Sequence, residues 1–113
     1  MVKQCRAAGV GVIADAVINH TTGVDNVSGQ GTGGSTYTNT GDFPAIPYTK
    51  ANFHDCDRDI LSYANATEVQ TCRVSGLQDL DTSQPYVRRT LAAYFAKLIR
   101  FGAAGFRVDA VKH

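Results

Sequence analysis

The sequence has no charge surplus: eleven Lys and Arg stand against ten Asp and Glu in 113 residues, a formal net charge of +1. Nucleic acids and anionic membrane surfaces are met by a basic surplus or stripe, so neither is an expected partner. Long apolar runs are also missing. The longest, Val10 to Ile18, is broken by Gly11 and Asp15 and falls far short of the roughly 20 apolar residues of a membrane span. Val2, Lys3 and Gln4 follow Met1 without the apolar stretch of a signal peptide, so a secreted parent would carry its signal outside this chain. Cysteine is scarce and odd in number: three residues leave at least one unpaired within the chain. Cys56 and Cys72 lie in a polar, loop-like stretch and read as a disulfide closing a short loop, with Cys5 free or paired elsewhere. Three reduced cysteines of a cytosolic protein are the alternative.

What is present is globular: 43% hydrophobic and 19% charged residues in a length that allows one domain at most. A helix-compatible start, Val2 to Ala8, stops at Gly9. The β-branched run Val10 to Ile18 then suits a strand buried on both faces of a parallel sheet, yet it carries Asp15 and leads into Asn19 and His20. Gln84 to Phe101 repeats this plan, with Val87, Leu91, Tyr94, Phe95 and Leu98 on one helical face. Thr82 or Ser83 can cap it, Pro85 suits its first turn and Gly102 stops it. A second apolar run, Ala103 to Val111, again delivers an acid, Asp109, and leads to His113. Two such units joined through a helix predict a βα repeat with a parallel sheet, an α/β fold.

Asp15 and Asp109 stand 94 positions apart. A (β/α)₈ barrel of about 250 residues allows roughly 30 per unit, so a surplus on the order of 60 must be an insertion. The stretch Thr21 to Asp81 supplies it. Six of the eleven glycines fall between Gly23 and Gly41, among Ser, Thr and Asn. The expected organisation is a helix end and strand over 1–20, an inserted subdomain over 21–81, and a helix and strand over 82–113. The chain stops at His113, directly after a strand, and two strands close no barrel, so a fragment is expected.

Alternate strand residues share a face, so Arg107 and Asp109 point the same way. A cation beside a carboxylate favours the ionised form a nucleophile needs; an internal ion pair is the plainer alternative. Asp15, Asn19 and His20 form the matching cluster, for which a capping Asn and an exposed His are the plainer alternative.

Three segments carry a resemblance: Asp15-Ala16-Val17-Ile18-Asn19-His20, Gly76-Leu77-Gln78-Asp79-Leu80-Asp81, and Gly105-Phe106-Arg107-Val108-Asp109-Ala110-Val111-Lys112-His113. In order and spacing they resemble signature segments of the α-amylase family of glycoside hydrolases, and the resemblance spans essentially the whole chain, from the helix before the third barrel strand to the end of the fourth. It implies a fragment of a (β/α)₈ TIM barrel with an irregular, calcium-binding inserted subdomain. By resemblance, Asp109 is the catalytic nucleophile and Arg107 orients it. His20, Lys112 and His113 contact sugars, and Asp15 is a structural acid of the active-site floor. Asn19 and Asp79 lend side chains to Ca²⁺, while Gln70 and His113 lend backbone carbonyls. Cys56 and Cys72 resemble a disulfide of animal-type and many actinobacterial members. Tyr63 and Leu77 resemble cleft positions, with packing inside the insertion as the alternative. Chloride binding is left open, because the other residues of that site lie outside the chain.

Rival metal sites fail on sequence. Asp55-Cys56-Asp57-Arg58-Asp59 starts like an EF-hand loop, but Ile60 holds the glycine position and Ala66 the twelfth. His20, His54, Cys56 and Cys72 fit no paired zinc spacing. Asn19-His20-Thr21, Asn26-Val27-Ser28 and Asn65-Ala66-Thr67 are glycosylation triplets of a kind that arises often by chance. The resemblance implies a secreted, calcium-dependent, monomeric, endo-acting enzyme that cleaves α-1,4-glucosidic bonds with retention, its partners α-glucans such as starch, glycogen and maltooligosaccharides. The acid/base glutamate would lie beyond His113, so the chain alone is expected to be inert and unstable. A transglycosylase of the same family is the near alternative, and a non-catalytic glucan-binding protein is the one from another class.

Overall fold

A computed structural model describes residues 1–25, 28–38 and 41–113. The triplet that begins at Asn26 therefore lies mostly outside the described residues. Helix α1 (Val2–Ala7) ends at Ala8, and Gly9 follows at φ +75°, a left-handed turn that glycine adopts without strain. Strand β1 (Ile13–Ala16) comes next, and long after it β6 (Gly105–Val108) pairs with it in parallel. The register sets Asp15 opposite Arg107 and Ala16 opposite Val108. Parallel neighbours in register share a face, so an acid and a base meet side by side.

Helix α3 (Pro85–Phe101) makes the crossover between them. Pro85 opens it and Gly102 closes it at φ +99°. The expected cap is displaced: Gln84 takes the N-cap position without a side-chain hydrogen bond. Ser83 is drawn away because its N–H and hydroxyl both donate to Asp81 Oδ1. The apolar face of α3 serves two partners. Phe95 meets Phe106 edge-on at 4.7 Å, fastening helix to sheet. Val87 and Leu91 instead join Phe43, Tyr48, Phe53 and Leu80 of the insertion. Val87 is fully buried, worth about 1.5–3 kcal/mol.

The expectation of strands buried on both faces is not met. Ile13 is 66% exposed and Val108 41%, and the strands are shorter than the apolar runs that contain them. An apolar run reports the burial a strand is suited to; the burial itself needs covering elements, and β1 has β6 as its only sheet neighbour among the described residues. Among those residues no helix is long and apolar enough to cross a membrane.

The excursion between β1 and α3 has a neck of two antiparallel strands, β2 (His20–Gly23) and β5 (Leu77–Asp79), with His20 opposite Asp79. A hairpin of β3 (Ser28–Gln30) and β4 (Thr36–Thr38) uses the glycine-rich stretch. There Gly29 passes so close to the Tyr37 ring that any Cβ would collide with it. Helix α2 (Ala66–Thr71) is capped by Asn65, whose side chain accepts from the N–H groups of Thr67 and Glu68. The Glu68 carboxylate is held below its ordinary range by the Arg58 guanidinium first, then by the N–H groups of Ser62 and Leu61.

Cys56 and Cys72 are bonded, beside a small core of Ile60 and Val69, and Cys5 is free. The bond spans 16 positions of an excursion with little regular structure. Loop-closure entropy then implies that reduction lowers stability by about 3 kcal/mol. Thermal melting of the full-length protein with and without reductant should show the reduced form melting lower, and coincident curves would contradict this.

Candidate active site

The site lies where β1 and β6 end. Arg107 and Asp15 come from opposed register positions, and Asp109 follows Arg107 by two residues on the same face. The guanidinium bridges both acids through one nitrogen: Arg107 Nη1 is 2.8 and 3.0 Å from the two Asp15 oxygens and 2.7 Å from Asp109 Oδ1. The Asp15 hydrogen bonds, with the charges of Asp15 and Asp109, push the Arg107 pKa up. The cluster is open, with Arg107 and Asp15 side chains 61% and 57% exposed and Asp109 28%. Asp109 is also fixed through its backbone. Its N–H donates to Ala16 O, and the Asn19 amide donates to Asp109 O and, at 2.6 Å, to Ala110 O. Ala110 has φ +42°, uncommon for a residue with a side chain, and its carbonyl also receives the His113 N–H.

A second group gathers at the neck. The Asp79 side chain is 5% exposed, and burial pushes its pKa up against the pull of three histidines, His54 foremost. His54 Nδ1 lies 2.6 Å from Asp79 Oδ2, and His113 Nδ1 lies 3.3 Å from Asp79 Oδ1 without the alignment of a hydrogen bond. His20 stands edge-on to His113 at 6.4 Å, and burial, then the nearby His113, lowers its pKa.

Of the positions the sequence singles out, Asn19, Asp79 and His113 converge. The Leu80 N–H donates to Asn19 O, and Asn19 and His113 share the Ala110 carbonyl. Gln70 stands apart, exposed on α2, and is linked to the group through Cys72, whose carbonyl accepts from His113 Nε2 at 2.7 Å. That hydrogen bond buries the His113 ring to 4% exposure, so in this arrangement it faces the insertion rather than a sugar. Lys112 is exposed. Tyr63 is exposed too, whereas Leu77 is half-buried in β5.

These atoms suit a hard cation. A buried carboxylate whose pKa is raised by desolvation is short of positive charge, which a hard cation supplies. Among the described residues no three His, Cys, Asp or Glu side chains form a metal cluster, and the disulfide removes Cys56 and Cys72 as zinc ligands. His54 is the residue the sequence did not single out for a role. Its signal lies in cross-chain pairing: Phe53 bridges to Leu80, which places His54 beside Asp79. A cavity of about 590 Å³ between Val17, Tyr48, Leu91 and Tyr94 is mostly apolar and is not lined by Asp15, Arg107, Asp109 or Asp79.

Comparison with known proteins gives the arrangement a family. No protein-family model matches the chain. An α-amylase of Thermomonospora curvata is 50% identical over 114 residues, covering 100% of this chain and 18% of that protein. α-Amylase I of Eisenia fetida superposes with a TM-score of 0.92 at 44% identity over 99% of this chain and 24% of its own, and a mutant of it was solved with maltohexaose. A cyclomaltodextrin glucanotransferase superposes with a TM-score of 0.74 at 27% identity over 99% of this chain and 23% of its own. The fold and the site thus define a piece of a barrel-type glycoside hydrolase. The chain belongs to the α-amylase family, and it spans about a fifth of the length of the curated relatives it matches.

Proposed function

We propose that this chain is the part of a secreted, monomeric α-amylase that carries the glycosidic nucleophile, and that the parent enzyme cleaves α-1,4-glucosidic bonds of starch- and glycogen-type glucans internally and with retention. The observation that carries the reading is Arg107 bridging Asp15 and Asp109 at the ends of two parallel strands. In this reading β1 and β6 are the third and fourth barrel strands, with a calcium-binding subdomain inserted after the third. Asp109 attacks the anomeric carbon, and the leaving sugar's oxygen takes a proton from a second carboxyl about 5–5.5 Å away, contributed from outside the chain. Arg107 holds Asp109 in line and Asp15 holds Arg107. Asn19 braces the Asp109 and Ala110 carbonyls, which limits the swing of the nucleophile. His20 and Lys112 bind the flanking sugars, and His113 is kept for the calcium group by its bond to Cys72 O.

Calcium fits the second group. The Asn19 and Asp79 side chains and the Gln70 and His113 carbonyls would hold it, and when bound it supplies the positive charge that the buried Asp79 lacks. It would tie the insertion to the strand ends.

NMR of the first product anomer tests the mechanism. Retention predicts that the α-anomer appears first, and an initial β-anomer would refute it. The 113-residue chain alone, without the second carboxyl, should leave the glucan uncut in a parallel sample. The likeness to a glucanotransferase favours a second reading, transfer to a sugar instead of water; cyclic or lengthened glucans on chromatography would establish it.

A further inference from the structure

We propose that His54 is a positioning residue for the calcium centre: its imidazole fixes the Asp79 carboxylate from behind. The inference rests on the calcium reading above and concerns a residue that is not itself a ligand. An ionised carboxylate only accepts hydrogen bonds, so the 2.6 Å contact has His54 Nδ1–H donating to Asp79 Oδ2. The other ring nitrogen, Nε2, lies 3.3 Å from Asp81 Oδ1.

Asp81 is itself held. Oδ1 receives the Ser83 N–H and hydroxyl, and Oδ2 receives the Gln84 amide at 3.0 Å. Gln84 is the N-cap of α3 and also donates to Ala51 O at 2.7 Å. The backbone fixes the spacing. The His54 N–H donates to Asp79 O and the Asp81 N–H to Asn52 O, so the segments 52–54 and 79–81 run paired. Asp79 and Asp81 alternate onto one face and His54 stands across from them.

With Oδ2 taken by His54, the longer, unaligned contact to His113 leaves Oδ1 as the oxygen offered to a cation. Carboxylate ligands held by an outer hydrogen bond lose about 10–100-fold in metal affinity when that partner goes. The His54 side chain is 21% exposed, so water can reach the space that its truncation would open.

The test measures Ca²⁺ affinity of the full-length enzyme by competition with a fluorescent chelator, for wild type and His54→Ala, His54→Gln and His54→Asn. The Asn amide nitrogen falls about where Nδ1 lies and can still reach Asp79, whereas the Gln nitrogen falls near Nε2 and reaches Asp81. Expected is a loss of about 10–100-fold for Ala and Gln with most affinity kept by Asn, and metal-free melting temperatures that stay together. If His54→Ala does not fold, the Gln and Asn pair decides alone. Wild-type affinity in the variants overturns the inference and leaves the calcium centre standing. Equal loss in all of them, with lower metal-free melting, overturns positioning in favour of packing. A wild type that binds no Ca²⁺ overturns the centre and this inference with it.

Discussion

Asp109→Asn in the full-length enzyme should lower kcat on α-glucan by on the order of 10⁴–10⁶-fold, the scale of losing a covalent nucleophile. The substitution keeps the shape of the side chain and removes its capacity to form the glycosyl ester. Its backbone bonds, to Ala16 O and from Asn19, do not involve the carboxyl and survive. Glucan binding should therefore change little while turnover collapses, a pattern that separates lost chemistry from lost fold. Arg107 would keep Asp15 as its remaining ionic partner, so the strand ends should hold their register. Isothermal titration with a maltooligosaccharide, run beside the kinetics, checks both halves. Activity within tenfold of wild type would remove Asp109 from the nucleophile's place.

Calcium withdrawal has the second large effect. A ligand that binds only the folded state at about a thousand times its Kd stabilises by about 4 kcal/mol. At about 1 °C per kcal/mol for an enzyme of roughly 500 residues, chelation should lower the melting temperature of the parent enzyme by about 4 °C. Asp79→Asn should abolish the difference between calcium-loaded and chelated samples. It also removes a buried charge, so the metal-free variant should melt no lower than the metal-free wild type: burial already disfavours the ionised Asp79, and an amide carries no such penalty. Scanning calorimetry of the four samples decides it. A chelation shift that persists in Asp79→Asn would place the metal elsewhere.

Much of this was legible in the sequence because of one contradiction, acids carried by apolar, β-branched runs. Asp15 and Asp109 each interrupt a run whose composition suits a buried strand, and Arg107 stands between the two acids. Helix α3 was equally readable from its period, its Pro85 start and its Gly102 stop. What stayed hidden depends on pairing between distant segments. No local pattern shows that 52–54 lie against 79–81, so His54 reads as a stray histidine. Nor does an apolar run tell how much of it will be covered, which is why Ile13 and Val108 stand in the open. Propensity is local, whereas burial belongs to the assembly.

The neck of the excursion bears on the order in which the site is built. Asp15 and Arg107 must find each other across 92 positions of chain. Once His20 has paired with Asp79, the path between the two parallel strands contracts to roughly a third of that length. On the logarithmic cost of closing a loop, this lowers the entropic penalty by about 1 kcal/mol. The excursion, with its own small cores and its disulfide, is thus a clasp whose closure brings the two acids within reach of one arginine.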